Sequence, residues 1–210
     1  VADARFQPKE EVVIPLALTA AGTVEPATLI RSTLLAASLM TLRSRGHFDR
    51  YLTKLPLPFH DPVLNSIAGS WLPIEVGVAH YRAANALALP LEELHEIGRI
   101  VAARIQDSLL GTLVRVARTA GVTPWTGIEY LPKLWARTIS GGAIAVYRLG
   151  PKEARVECHG APELAAIDYF RQAFRGMFMG SGMLFCDRLY IHDLSRYTAR
   201  GIVGFRVSWA

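Results

Sequence analysis

Cysteine is nearly missing from this chain: among 210 residues, only Cys158 and Cys186 carry thiols. Two thiols so far apart supply neither a disulfide framework nor the paired spacing of a zinc site. Each is expected to act as a small buried hydrophobe. Lysine is scarce too, since nineteen of the twenty-three basic residues are arginine. The arginines run from Arg5 to Arg206 without a block of five or six together and without a nucleic-acid reading motif. The net charge of +5 therefore describes a mildly basic surface, and nucleic acid is not an expected partner. No stretch of about 18 apolar residues is present to span a bilayer. The opening VADARFQPKEEVV has no apolar signal core, so a cytoplasmic location is expected.

Catalytic signatures are equally lacking. There is no His-Glu-x-x-His, no Gly-Lys-Ser/Thr phosphate loop and no Gly-x-Ser-x-Gly nucleophile turn. No two of the six histidines stand four apart as a helical zinc pair would require. Asp61 follows His60 in a proline-rich stretch but has no partner nucleophile. Glu92, Glu93 and Glu96 read as the solvated first turn of a helix, where carboxylates favour the dipole. Cys158 and His159 are neighbours on an expected strand and so face opposite ways. No catalytic residue is assigned.

What is present is a succession of clear periodicities. A brief strand is expected at 11-EVVIP-15. A helix is expected over 23–46, with Pro26 in its first turn and Gly46 at its end. A proline-broken connector follows over 47–63, then a helix from Pro73 to Leu89. The strongest helical pattern spans 90–121, where Leu94, Ile97, Val101, Ile105, Leu109, Leu113 and Val116 recur at three or four. Gly98 and Gly111 sit inside it at a cost of roughly 1 kcal/mol each relative to alanine, which implies a closely packed backbone or a bend. Two helical pieces, parted near Pro132, fill 124–138.

The texture then changes. Residues 143–150 and 153–160 read as a hairpin, 162–181 as a helix, and 183–195 and 197–209 as two more strands. Helices followed by β-β-α-β-β define an α+β fold. It is expected to be a single domain over 1–210, with a helical layer over 1–140 and a sheet with its glycine-containing helix over 141–210.

The stretch 174-FRGMFMGSGMLFC-186 raises the question of a phosphate cradle. A cradle needs glycines between a strand and a helix N-terminus, whereas here the glycines close a helix and lead into a strand. Gly180 or Gly182 is expected as a C-cap. Gly176 and Gly180 form a small-residue face that lets the helix lie against a sheet or a second chain. A homodimer is expected on this ground.

Aromatic residues mark the candidate site. Trp125, Tyr130 and Trp135 cluster ahead of the first hairpin, Tyr147 follows on its strand, and Phe170, Phe174 and Phe178 recur every four residues. Such stripes serve a packed core or an apolar cavity in which a few polar groups orient a ligand. The candidate ligand-binding residues are His80, Tyr81, Trp125, Trp135, Tyr147, Arg148 and Phe174. His80 stands in an otherwise apolar helical stretch, 76-VGVAHYRAANAL-87. His95 is placed on a polar helix face.

A helix with spaced glycines between two β-hairpins, closing on 203-VGFRVSW-209, resembles the C-terminal half of the 4-vinyl reductase domains. Those domains share a fold with the haem nitric-oxide-binding domains and the TRAPP vesicle-transport subunits. The segments 91-LEELHEIGRIVAARIQDSLLGTLVRVAR-118 and 131-LPKLWARTISGG-142 are also similar to a myxobacterial family of about this length. The resemblance implies a non-enzymatic sensory or regulatory module with an interior apolar pocket for a small apolar or amphipathic ligand, haem among the candidates. A metal would enter only as haem iron on His80. Two departures stand against parts of it. No cysteine lies between Asp187 and Ala210, where many 4-vinyl reductase domains carry several. No Tyr-x-Ser-x-Arg haem motif occurs, and 197-YTAR-200 has the wrong spacing. A ligand-free interaction or dimerisation module, and an enzyme acting on a hydrophobic small molecule, remain the alternatives.

Overall fold

The computed structural model describes residues 10–109 and 123–210, with side chains left out of the description at 104–109. It is an α+β fold built on two antiparallel sheets. Strand β1 (Glu11–Ile14) lies at one edge of the larger sheet, and β2 (Leu29–Arg31) leads directly into helix α1 (Ser32–Ser44). Two short helices, α2 (Phe48–Leu52) and α3 (His60–Leu64), occupy the proline-broken connector. Strand β3 (Trp71–Pro73) then feeds α4 (Ile74–Asn85), and α5 spans Leu91–Leu109. After the undescribed stretch come α6 (Pro124–Glu129), α7 (Leu131–Thr138) and the two-residue β4 (Ile139–Ser140). The hairpin β5 (Ala143–Gly150) and β6 (Glu153–His159) follows, then α8 (Pro162–Ala165) and α9 (Asp168–Gly182). The chain closes with β7 (Leu189–Asp193), the helical turn α10 (Ser195–Thr198) and β8 (Val203–Trp209).

The larger sheet has the order β1-β5-β6-β8-β7 and the smaller the order β3-β2-β4. The β-β-α-β-β unit is thus present, extended at its edge by the N-terminal strand, where Val12 pairs with Tyr147. Residues 29–31, expected to be helical, are a strand instead: Ile30 pairs with Leu72 on one side and Ile139 on the other. Leu29 and Ile30 satisfy either period, and strand partners on both sides decide between them. The helix therefore begins at Ser32, and Pro26 stands outside it. It ends as expected, with Gly46 at φ +73° after the Arg45 cap.

The last two strands are shorter than expected. Residues 183–188 form a turn region, and Tyr197 sits in a helical turn rather than a strand. The expected continuation of α5 through Gly111, Leu113, Arg115, Val116, Arg118 and Gly121 lies outside the described residues.

The glycines of α9 serve packing, but against another helix. A β-carbon on Gly98 would lie 2.8 Å from the Met177 nitrogen, and one on Gly176 would lie 2.8 Å from His95 Cα. The backbones of α5 and α9 therefore touch, and the cost of a mid-helix glycine is offset by that approach. The face expected to receive a sheet or a second chain is covered by α5. Neither Gly180 nor Gly182 is a left-handed cap, since both lie within α9 and the cap residue is Met183 at φ −65°.

The opposite face of α9 meets the sheet. Phe174 and Phe178 sit 6.2 and 5.7 Å, ring centre to ring centre, from the fully buried Phe205 of β8. Strand alternation puts Ala154, Val156 and Cys158 on this inner face and Arg155, Glu157 and His159 on the outer one. Cys158 and His159 do point opposite ways. Cys158 is a buried hydrophobe whose thiol pKa is pushed up by burial, whereas Cys186 is only half-buried. A tight crossing links the two sheets. Gly142 donates its N–H to Glu25 O at 2.8 Å, and Gly160 O accepts from Ala27 N at 2.7 Å. Gly141 and Gly142, at φ +81° and +69°, explain the paired glycines that end 131-LPKLWARTISGG-142.

Candidate functional site

The structure divides the seven candidate residues into three groups. His80 and Tyr81 are buried on α4 with ring centres 4.9 Å apart, and Tyr81 stacks edge-on to Phe170 at 5.0 Å. Phe170 stacks in turn on Phe174, which meets Trp135 at 6.3 Å. Trp125 and Arg148 form a second group at the edge of the inner sheet face. There the guanidinium lies 4.5 Å from the Trp125 ring, and Trp125 packs on Trp209 at 5.0 Å. Tyr147 points the other way, to the outer face, under the Arg155 guanidinium at 4.1 Å. No one pocket collects all seven.

His80 belongs to a buried polar chain. Its Nδ1 bonds the Tyr51 hydroxyl at 2.8 Å, its Nε2 bonds Ser38 Oγ at 3.0 Å, and Ser38 Oγ bonds the Tyr169 hydroxyl at 3.1 Å. A neutral imidazole has one donor and one acceptor nitrogen, so this chain satisfies both. With no exposed surface, the ring is held neutral by burial, and its pKa falls from 6.5 to about 3. Burial likewise pushes the Tyr169 hydroxyl up to about 12 and those of Tyr51 and Tyr81 well above their ordinary range. The chain crosslinks α1, α2, α4 and α9 through the core and leaves His80 no nitrogen for a ligand.

The remaining histidines are also engaged or exposed. His95 does not sit on a solvated face, because its Nε2 reaches Gln172 Oε1 at 3.1 Å across the α5–α9 crossing. His47 bonds Glu93 at 2.6 Å, His60 bonds the Leu55 carbonyl at 2.9 Å, and His159 bonds Glu157 at 3.0 Å. His192 is exposed on the outer sheet face. His60 and Asp61 form no relay, since Asp61 accepts from Asn65. Among the described residues no group of three or more His, Cys, Asp or Glu is placed to hold a metal ion.

Among the described residues, two apolar spaces stand out between the layers. A cavity of about 40 Å³ among α1, α4, α5 and α9 is bordered by Ser38, Tyr81, Tyr169 and Phe174. A larger recess of about 80 Å³ lies between α6–α7, the C-terminal end of α9, the 183–188 turn region and the inner sheet face. Its floor is Val156, Val207 and Trp209, which are buried, while Leu131, Leu134, Phe178 and Phe185 in its walls are half-buried. Of the lining residues, Tyr130 and Phe178 were marked by the aromatic clustering in the sequence. The recess joins four aromatic residues, Tyr130, Phe178, Phe185 and Trp209, to ordinary Leu, Ile and Val positions that converge from separate segments. A further local signal for it was the short α7, whose Leu131, Leu134 and Trp135 share a face.

No known family model and no curated protein matches the sequence. Solved structures do match. A member of the H-NOX family studied for haem distortion superposes with a TM-score of 0.59 at 11% identity, covering 86% of this chain and 95% of that one. An oxygen-binding H-NOX domain related to soluble guanylate cyclases, in its oxygen complex, gives 0.56 at 12% identity with the same coverages. The Fe(II) unliganded H-NOX protein from K. algicida gives 0.56 at 10% identity, covering 86% and 97%. The chain therefore has the H-NOX fold. The likeness to haem nitric-oxide-binding domains expected from the glycine helix and closing strand holds at that level.

The described residues do not fit a haem. Pockets for ligands of drug or cofactor size run to about 300–1,000 Å³, against about 40 and 80 Å³ for the two apolar spaces between the described layers; the more open space of about 390 Å³ beside Arg155 and Arg206 holds no histidine. His80, the expected axial ligand, has both nitrogens bonded within the core. His95, the other histidine between the helical layers, is tied to Gln172.

Proposed function

We propose that this chain is a non-enzymatic sensory or regulatory module that binds a small apolar or amphipathic molecule in its interior. The observation that carries the reading is an apolar space within an H-NOX fold, walled by half-buried side chains over a buried floor. The absence of charge from that wall among the described residues favours binding over chemistry, because a reacting site needs groups with matched protonation. The strongly perturbed imidazole, His80, is sealed among hydroxyls rather than aimed at the recess. Haem would require the Tyr51–His80–Ser38 chain to break and the cavity to grow severalfold. The ligand we propose is smaller.

The test is mass spectrometry of small molecules extracted from natively purified protein, alongside an absorption spectrum taken before and after haem is added. A low-polarity compound in near-stoichiometric amount, with no Soret band from bound haem, supports the reading. A stoichiometric haem complex that is lost in His80→Ala refutes the haem-free form of it. Turnover of an apolar substrate refutes the non-enzymatic one.

A further inference from the structure

Resting on that reading, we infer that the ligand site is the recess between α6–α7 and the end of α9, and that it takes a short, uncharged alkyl group. The floor residues Val156, Val207 and Trp209 are buried, as is Ile128, while Leu131, Leu134, Phe178, Leu184 and Phe185 around them are only half covered. Apolar walls left partly open to water over an apolar floor are the setting in which an apolar ligand gains most.

The lining fixes the chemistry. Among the described residues no charged side chain borders the recess. A carboxylate or ammonium placed inside would lose its hydration with no counter-charge to replace it. Size narrows the class further. At about 80 Å³ the recess is near half the roughly 150 Å³ of an apolar cavity that admits benzene, so a chain of about three carbons matches it. The smaller cavity does not compete: at about 40 Å³ it has half the volume of the recess, and the Ser38 and Tyr169 hydroxyls on its border are already bonded to each other.

Phe185 packs over Gly127 as one wall. A β-carbon on Gly127 would come 3.0 Å from its ring, so glycine at 127 gives the ring room to stand where it does.

The experiment is a methyl-resolved NMR titration of the full chain with propan-1-ol, and with propanoate as the charged counterpart of the same carbon skeleton. The expected result is saturable shifts at the methyls of Val156, Val207, Leu131 and Leu134, with Leu34, Ile97 and Val101 unmoved. The carboxylate is expected to bind at least tenfold more weakly. Leu134→Trp is expected to weaken the alcohol at least tenfold. Gly127→Ala, a smaller change that disturbs folding less, is expected to weaken it severalfold.

Saturable shifts at Leu34, Ile97 and Val101 instead would overturn the site. Equal affinity for the carboxylate would overturn the ligand class. Absence of saturable shifts up to the solubility limit would overturn both. A low-polarity compound still co-purifying with Leu134→Trp would sink the recess while leaving the ligand-binding reading intact.

Discussion

Gly98 and Gly176 each stand where the other helix's backbone leaves no room for a side chain: a β-carbon on Gly98 would meet Ala173 and Met177, and one on Gly176 would meet His95. The obstructing atoms are backbone, which cannot swing aside. Gly98→Ala and Gly176→Ala should therefore each cost about 3 kcal/mol or more, at the upper end of overpacking. Gly180→Ala meets Ala102 Cβ at 3.3 Å and gains helix propensity, so it should change stability by no more than about 1 kcal/mol. Denaturant unfolding of the three variants checks the ordering.

His80 gives the fold a pH dependence. Burial lowers its pKa to about 3, while the unfolded chain restores an ordinary value of about 6.5. Between those values the unfolded state binds the proton that the folded state refuses. The stability is fully present above about pH 6.5 and is lost at roughly 1 kcal/mol per unit as pH falls toward 3. His95, lowered by burial as well, acts with the same sign. His80→Asn should flatten the slope measured by urea unfolding between pH 7.5 and 4. An unchanged slope would show that His80 is not its source.

The hydroxyls that hold His80 should matter individually. Tyr51→Phe leaves Nδ1 buried and unpartnered, which should cost about 1–3 kcal/mol. Ser38→Ala removes the partner of both Nε2 and the Tyr169 hydroxyl and should cost more. In a double-mutant cycle Tyr51→Phe and Ser38→Ala should be non-additive, since they act on one ring. Additive losses would mean that the two bonds are energetically separate.

Phe205 anchors the sheet to α9. It is fully buried against Phe174 and Phe178, so Phe205→Ala should cost about 3–5 kcal/mol. Thermal unfolding reads this directly. A loss under 1 kcal/mol would mean that the helix and the sheet are not packed as described.

Much of the fold was legible because its signals are local. The hairpin at 143–159 follows a two-residue period, and the misfit of glycine inside α5 announced a close backbone. Where sequence reading failed, partners distant in the chain decided the outcome. Leu29 and Ile30 satisfy either period until β3 and β4 flank them. Met183, Leu184 and Phe185 read as a strand, but they turn back at the end of α9, and the latter two wall the recess. The candidate site was harder still. His80 looked like a ligand because nothing nearby in sequence foretells Tyr51 and Ser38 closing on its two nitrogens. Leu131, Leu134, Val156, Val207 and Trp209 are ordinary core residues taken singly. They become a recess only when four segments meet.

We propose that this H-NOX fold holds a small apolar ligand rather than haem. Native mass spectrometry of the freshly purified full chain, with and without added haem, tests it most directly. The account predicts one small neutral molecule per chain and no stoichiometric haem adduct. A one-to-one haem adduct that disappears in His80→Ala would contradict it.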